Sequence, residues 1–221
     1  MVRPARQRNP RGQGGLLRDE ILSAAIHVID QAQNEVEVSL RSIARAAGIS
    51  TMSVYSHFAD RDAVLAAVAE LSWQQVCQDI VEQAHAGETP RSRLLLGCRA
   101  YVAFAQRFPL RYSLMTQVDE APPAARQALA VMTRGLLAIG DTEATGSADG
   151  VSDKTAAALS VALHGVAMLH RTDTPHLWLH DFSTCDIIGS LVDAAVLQIE
   201  HAGSARAAAK RSGGAARARA T

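Results

Sequence analysis

Apolar residues recur three and four positions apart along almost the whole length of this 221-residue chain. This spacing predicts an all-α protein, because the alternation typical of strands is hard to find. Glycine and proline fall mostly between the periodic stretches and mark where they end. The predicted helices cover about residues 16–33, 40–47, 51–57, 61–85, 91–108, a short stretch from 109, 124–139, 153–171 and 181–201.

Two of the short helices are joined by a tight turn, as in a helix-turn-helix. Ser39 precedes the first helix and Ser50 the second, and each hydroxyl can accept a hydrogen bond from a first-turn N–H. Gly48 stands where the first helix must stop, since glycine adopts a positive φ without strain. Residues 39–61 are therefore the stretch around which we expect the rest of the chain to be organised.

The second of these helices, residues 51–57, is too polar for a buried element. Val54 and Phe58, four positions apart, suffice to anchor it to a core while the remaining side chains face outward. A helix-turn-helix places such a helix in the major groove of DNA, with its N-terminal residues against base edges. The pattern predicts base contacts from Thr51, Met52 and Ser53.

The run SVYSHFADRDAVL, residues 53–65, resembles the end of the recognition helix and the start of the fourth helix in TetR-type transcriptional regulators. Their order there is roughly small-aliphatic-Tyr-x-His-Phe, two loop residues, Lys, an acid and an aliphatic run. Ile43-Ala44 and Ala47-Gly48-Ile49 match as well. The resemblance covers about residues 16–76 and implies a three-helix DNA-binding domain, joined by the fourth helix to a C-terminal bundle that binds a ligand and dimerises.

Two features depart from that family pattern. Arg61 replaces the usual Lys, which keeps the charge and adds a planar fork for phosphate. Residues 34–37, Asn-Glu-Val-Glu, stand where the family has a short turn containing glycine. The resemblance implies base or phosphate contact from Arg41, and phosphate contact from Tyr55, His57 and Arg61. The full candidate set for DNA is Ser39, Arg41, Ser50, Thr51, Met52, Ser53, Tyr55, His57 and Arg61.

The C-terminal half resembles one subgroup of the TetR type. It carries Tyr101-x-x-Phe104-Ala105, then Phe108-Pro109-x-x-Tyr112-x-x-Met115, and a Leu163-His164-Gly165 element similar to the His-Gly pair of that subgroup. Each of these large side chains is individually as compatible with a core as with a pocket, but some of them should line any cavity between the helices. The candidate ligand-binding residues are Tyr101, Phe104, Tyr112, Met115, Met132, His164 and Met168.

The net charge of zero hides a separation of charge along the chain. Residues 1–18 hold five Arg and no acid, residues 203–221 hold four Arg and one Lys and no acid, and residues 19–202 hold 12 bases against 22 acids. Both basic ends are predicted to be disordered, either contacting phosphates or simply solvated. The predicted domains are a basic arm at 1–15, a DNA-binding domain at 16–76, a ligand-binding and dimerisation domain at 77–202, and a basic tail at 203–221.

The remaining patterns argue against a disulfide framework, a membrane span, a metal site and an enzyme. Three widely spaced cysteines indicate a reducing compartment, and no apolar run approaches the ~18–20 residues of a span, so we expect a cytoplasmic protein. His164, His170, His176 and His180, with Cys98 or Cys185, match no compact metal-ligand spacing. A small all-α enzyme or adaptor is the alternative function, but no nucleophile elbow, phosphate-binding glycine loop or paired carboxylates are evident.

We therefore expect a transcriptional regulator that binds a double-stranded DNA operator with an inverted repeat. The family resemblance implies that it is a repressor, released by a small apolar or amphipathic molecule that the sequence does not identify. Apolar stripes on the helices predicted at 153–171 and 181–201 predict a homodimer. No cofactor, catalytic residue or membrane partner is expected.

Overall fold

The computed structural model describes residues 14–117, 122–139, 151–169 and 181–218, without the side chains of residue 14 and of 206–218. The described residues are mostly helical and contain no strand, which confirms the all-α prediction. None of the helices described is long and apolar enough to cross a membrane. The α-helices are α1 Gly14–Gln31, α2 Leu40–Ala47, α3 Thr51–Tyr55, α4 Arg61–His85, α5 Pro90–Arg107, α6 Pro109–Thr116, α7 Pro123–Ile139, α8 Val151–Leu169 and α9 Thr184–Ala218, with a 3₁₀ turn at Glu35–Glu37.

The described residues pack into two compact units. The N-terminal unit runs to Gln74 and also takes in Phe108–Pro122, and the C-terminal unit comprises Gln75–Arg107 and Pro123–Thr221. Helix α4 contributes its first part to one unit and its second part to the other. The change of unit within α4 lies close to the predicted domain boundary at residue 76.

The core of the N-terminal unit is built from the inward faces of α1, α2, α3 and the first part of α4. Ile21, Ile43, Val54 and Val64 are each fully buried, and they come from four different helices. Because each helix contributes one apolar stripe to a shared centre, none of the short helices has to be stable alone.

Helix α6 also belongs to the N-terminal unit, although its residues lie within the C-terminal domain predicted at 77–202. Its Arg111 is 3% exposed, places Nε 2.7 Å from Asp30 Oδ1 of α1, and stacks over the Phe108 ring at 3.8 Å. Trp73 Nε1 on α4 donates to the Met115 carbonyl at 3.2 Å. These contacts join segments far apart in sequence, and helical spacing cannot reveal them.

The C-terminal unit is a bundle in which α5, α7, α8 and α9 all contact one another. Val102, Leu136, Leu163 and Val192, one from each helix, are at most 1% exposed at its centre. Pro90, Pro109 and Pro123 each begin a helix, where the missing N–H costs no hydrogen bond.

The chain ends differ from the predicted boundaries. Helix α9 continues to Ala218, through most of the segment predicted to be a disordered tail. That stretch is rich in alanine, the strongest helix former, so a helix already begun can extend through it. Most of the predicted N-terminal arm and most of the loop predicted at 140–152 lie outside the described residues.

Candidate nucleic-acid interface and ligand cavity

Helix α2 begins with a reciprocal cap made by two serines. Ser42 N donates to Ser39 Oγ at 3.1 Å, and Ser39 N donates to Ser42 Oγ at 2.9 Å. The two bonds satisfy N–H groups that the first turn of a helix leaves without a partner. Arg41 and Arg45 are both exposed on this helix, whereas Ile43 is fully buried.

The turn between α2 and α3 depends on Gly48. Its φ is +67° and its ψ is 33°, a left-handed conformation that side chains with a Cβ rarely adopt. Gly48 N and Ile49 N both donate to carbonyls of the last turn of α2, and Ile49 N reaches the Ala44 oxygen at 2.9 Å. Ser53 N then donates to Ser50 Oγ at 3.1 Å, which caps α3 as the sequence predicted.

Helix α3 turns one face to the core and the other to solvent. Val54 is fully buried and Phe58, just beyond the helix, is 5% exposed, whereas Met52 is 74% and Tyr55 52% exposed. Thr51, Ser53 and His57 are half-buried. The helix ends at Tyr55, two residues before the predicted end, because Ser56 forms its C-cap. The face with Met52 and Tyr55 is the surface that could enter a DNA groove.

Phe58 is also held from its outer side by a cation. The Arg18 guanidinium of α1 lies 4.9 Å from the centre of the Phe58 ring, within the range of a cation–π contact. Arg18 is exposed, so its charge stays near solvent beside the segment that follows α3.

Arg61, a predicted phosphate ligand, makes three hydrogen bonds within the protein. Its Nε donates to the Val38 carbonyl at 2.6 Å, and its Nη2 donates to the Glu35 carbonyl at 2.8 Å and to Glu35 Oε1 at 2.9 Å. The side chain is only 31% exposed. Arg61 and the turn at 34–37 are also the two features that depart from the family pattern. This coincidence is the sequence signal that could have indicated a contact between them.

That turn folds as a 3₁₀ turn capped by Asn34 in place of a glycine turn. Val36 N donates to Asn34 Oδ1 at 3.1 Å, and Asn34 Nδ2 donates to Glu37 Oε1 at 3.0 Å. Gln33 N also donates to Glu37 Oε2 at 3.2 Å. Hydrogen bonds to the side-chain oxygens of Asn34 and Glu37 thus stabilise the connection between α1 and α2, where the family pattern has a turn with glycine.

The C-terminal unit contains an apolar cavity of about 100 Å³ between α4, α5 and α7. Of the predicted ligand-binding residues it includes Met132 alone. Burial raises the pKa of the Cys98 thiol to about 12, so this lining group stays uncharged at neutral pH. The lining residues are Ile80, Ala84, Arg93, Leu94, Gly97, Cys98, Ala128, Val131, Met132 and Gly135.

The other predicted ligand-binding residues lie elsewhere. Tyr112 and Met115, at 0% and 1% exposure, lie within the N-terminal unit on α6. In the C-terminal unit, Phe104 is buried and Tyr101 and His164 are half-buried, while Met168 is 39% exposed. His170, His176 and His180 lie outside the described residues, and within the described part no three His, Cys, Asp or Glu side chains cluster as metal ligands.

Comparisons with known families and structures agree with this architecture. A sequence model of bacterial regulatory proteins of the tetR family matches residues 21–68, and one of a tetracyclin repressor-like C-terminal domain matches residues 94–182. Together they span more than half of the chain. No curated protein matches the sequence.

Solved structures share the fold at low sequence identity. A protein of unknown function from Rhodococcus sp. RHA1 is 24% identical with a TM-score of 0.66, covering 88% of this chain and 97% of its own. A TetR-like transcriptional regulator from the same organism is 17% identical with a TM-score of 0.55, covering 86% and 97%. A tetR-family transcriptional regulator from Streptomyces coelicolor is 16% identical with a TM-score of 0.63, covering 87% and 83%.

We predict that Gly48→Ala lowers the free energy of unfolding by about 1–2 kcal/mol, because alanine is strained at this positive φ. Gly15→Ala is the matched control, since an added Cβ has nothing within 4 Å at either site and only Gly48 has a positive φ. Gly15→Ala lies within α1 and should leave stability unchanged or raise it by up to about 1 kcal/mol. Urea unfolding followed by circular dichroism measures both, and equal effects would contradict the prediction.

Proposed function

The chain belongs to the TetR family of bacterial transcriptional regulators, and we propose that it is a repressor that binds an inverted-repeat operator as a homodimer. In this proposal a small apolar or amphipathic molecule binds the C-terminal unit and releases the DNA. The observation that carries the DNA contact is the outward face of α3, where Met52 is 74% and Tyr55 52% exposed.

The exposed face of α3 supports direct reading of bases. Folding gains nothing from leaving a methionine and a tyrosine in water, whereas both side chains could contact base edges and sugars in a major groove. Met52 in the first turn of α3 has no charge and would favour the methyl group of a thymine. Thr51 and Ser53 beside it complete the proposed base-reading end, and Tyr55 and His57 are the proposed phosphate contacts.

Charge indicates where further phosphate contacts come from. Residues 14–74 hold four arginines against eight carboxylates, a formal net charge of −4. Arg18, Arg41 and Arg45 are exposed, and four more arginines precede residue 14. Because phosphate binding requires cations, we propose that these arginines supply most of the salt-dependent affinity.

We expect Met52→Ala to weaken binding to a selected operator duplex by about tenfold, with little change for random duplex, because a base contact contributes only to the correct sequence. Val81→Ala, which shortens an exposed apolar side chain of α4 outside the N-terminal unit, is the control and should bind as the wild type does. Fluorescence anisotropy with both duplexes measures the ratio. An equal loss on both duplexes would place Met52 away from the bases.

The proposed homodimer would bury apolar side chains on α8 and α9. Val161 is 72% and Leu197 53% exposed, while the small residues Ala157 and Ala194 are exposed on the same two helices. A Cβ added at Gly165 of α8 would meet nothing within 4 Å, which leaves room for a close partner. A second copy is the occupant that closed two-fold symmetry favours.

The double variant Val161→Arg and Leu197→Arg should sediment as a monomer and lose operator affinity, because paired charges at a two-fold interface repel and are costly to bury. Leu129→Arg adds the same charge at an exposed leucine of α7 and should remain dimeric. Analytical ultracentrifugation at micromolar concentration measures the masses. A monomeric wild type under these conditions would refute the dimer.

The cavity between α4, α5 and α7 supports an apolar effector. Apart from Arg93, its lining is aliphatic, thioether or thiol, and the Arg93 Nε donates to the Gly87 carbonyl at 2.9 Å. At about 100 Å³ the cavity is smaller than the ~300–1,000 Å³ typical of ligand sites, so an effector must favour an expanded state.

The position of α4 suggests how that expansion could weaken DNA binding. Ile80 and Ala84 line the cavity, and the same helix begins at Arg61 in the N-terminal unit. A 25-residue helix is about 37 Å long, and we propose that a displacement of its second part is transmitted to its first part. A ligand that prefers the expanded state by ~1–3 kcal/mol would reduce operator affinity ~5–150-fold.

Ala128→Leu should abolish release by an effector while leaving operator binding intact, because the added carbons fill the cavity. Ala138→Leu is the matched control, the same substitution at an exposed position on the same helix. The operator complexes of the wild type and of both variants are titrated with the compounds of an apolar library, and the release of DNA is measured. Release that survives Ala128→Leu unchanged would place the effector site elsewhere.

A further inference from the structure

We propose that Arg61 is a positioning residue for DNA binding, which fixes the turn leading into α2 and makes no phosphate contact of its own. This inference rests on the proposed DNA contact by α2 and α3. It reverses the role that the family resemblance implies for this position.

The geometry ties Arg61 to the entrance of the helix-turn-helix. Val38, whose carbonyl accepts from Arg61 Nε, directly precedes the N-cap Ser39 and is itself 1% exposed. Glu35, whose carbonyl and carboxylate accept from Nη2, begins the 3₁₀ turn. Arg61 is the first residue of α4, so its side chain joins the start of α4 to both ends of the segment that feeds α2.

The end of this turn also contacts the first turn of α2. Ser42 Oγ, one half of the reciprocal cap, lies 3.3 Å from the Glu37 carbonyl and 2.8 Å from the Ser39 carbonyl, and its single proton can be donated to either. Restraining residues 35–38 therefore restrains the N-terminal end of α2, where Ser39 and Arg41 are proposed to meet DNA. Loss of the Arg61 contacts would therefore remove three hydrogen bonds that join this turn to the start of α4.

Hydrogen-bonding geometry explains why arginine serves here. The three bonds use two different nitrogens of a planar group, and a lysine ammonium concentrates its donors on one atom. A lysine would keep the charge but could not donate from two separate nitrogens to the Val38 and Glu35 carbonyls. The two positions at which the sequence departs from the family pattern, Arg61 and the turn at 34–37, therefore contact each other in this chain.

Charge argues against a phosphate contact by the same guanidinium. Arg61 Nη2 lies 2.9 Å from Glu35 Oε1, and Nη1 lies 3.5 Å from Asp62 Oδ1. Two carboxylates already neutralise this one cation. Three of the five guanidinium N–H donors are engaged, so a phosphate that displaced no internal bond could bind only through Nη1, the nitrogen beside Asp62.

The test compares Arg61→Lys and Arg61→Ala with wild type on a duplex that the wild type selects from a random pool. A positioning role predicts that both variants lose affinity by about twofold to thirtyfold, and that the slope of log affinity against log salt stays unchanged. Wild-type affinity in Arg61→Lys, with a slope lowered by about one in Arg61→Ala, would overturn the proposal in favour of direct phosphate contact.

Ile29→Val separates positioning from loss of stability. It removes one methylene from a fully buried side chain of α1 in the same unit and leaves the Arg61 contacts in place. This variant should be destabilised yet bind DNA as the wild type does. An affinity loss in Ile29→Val equal to that of Arg61→Lys would show that stability alone is responsible and would overturn the proposal.

A measurement on the wild type covers the case in which the Arg61 variants do not fold. The Arg61 Nε–H resonance, observed by NMR in free and DNA-bound protein, should keep its shift and its protection from exchange. A changed shift with loss of protection would mean that the guanidinium leaves Val38 for DNA and would overturn the inference. A wild type that binds no duplex at any salt concentration would instead sink the proposed function, before any variant is compared.

Discussion

A helix of five residues cannot persist in water, because its few internal hydrogen bonds do not offset the entropy of ordering it. Helix α3 depends on the burial of Val54 and Phe58 in a core shared with α1, α2 and α4. The Ser50 cap and the Gly48 turn satisfy its backbone and fix its direction. Since these contacts involve one face of the helix, the side chains on the opposite face do not contribute to the core. Met52 and Tyr55 can therefore be exposed, and the proposed recognition of DNA by this face depends on that division.

Much of this architecture could be predicted from sequence because its determinants are local. Serine caps, the glycine turn and the helix-starting prolines act within a few residues, so the helices and several of their ends followed from them, although α3 ends earlier and α9 ends later than predicted. The position of α6 could not, because the ion pair of Arg111 with Asp30 joins residues 81 positions apart in sequence. The cavity was missed for a related reason: spacing shows that Tyr112 and Met115 are buried, but not in which core.

Arg61 is the residue at which our proposal departs from the role that the family resemblance implies. The motif around it is intact, yet three of its five N–H donors bond to a turn whose own sequence departs from the family pattern. In the sequence, Arg61 indicated a phosphate ligand and residues 34–37 indicated an unusual turn. In the structure, the Arg61 side chain is hydrogen-bonded to that turn and to the residue after it. The formal charge of −4 over residues 14–74 makes this consequential, because Arg61 is one of only four cations there. In the proposed function, phosphate attraction then depends on Arg18, Arg41, Arg45 and the arginines before residue 14.

The central claim is that two copies of α3, related by two-fold symmetry, read one DNA site. It is tested most directly by selecting duplexes from a random pool with the full-length protein and sequencing those that bind. The account predicts an inverted repeat whose half-sites are centred about one helical turn, ~34–36 Å, apart, or a multiple of that distance. Enrichment of a single half-site, of a direct repeat or of no sequence at all would contradict it.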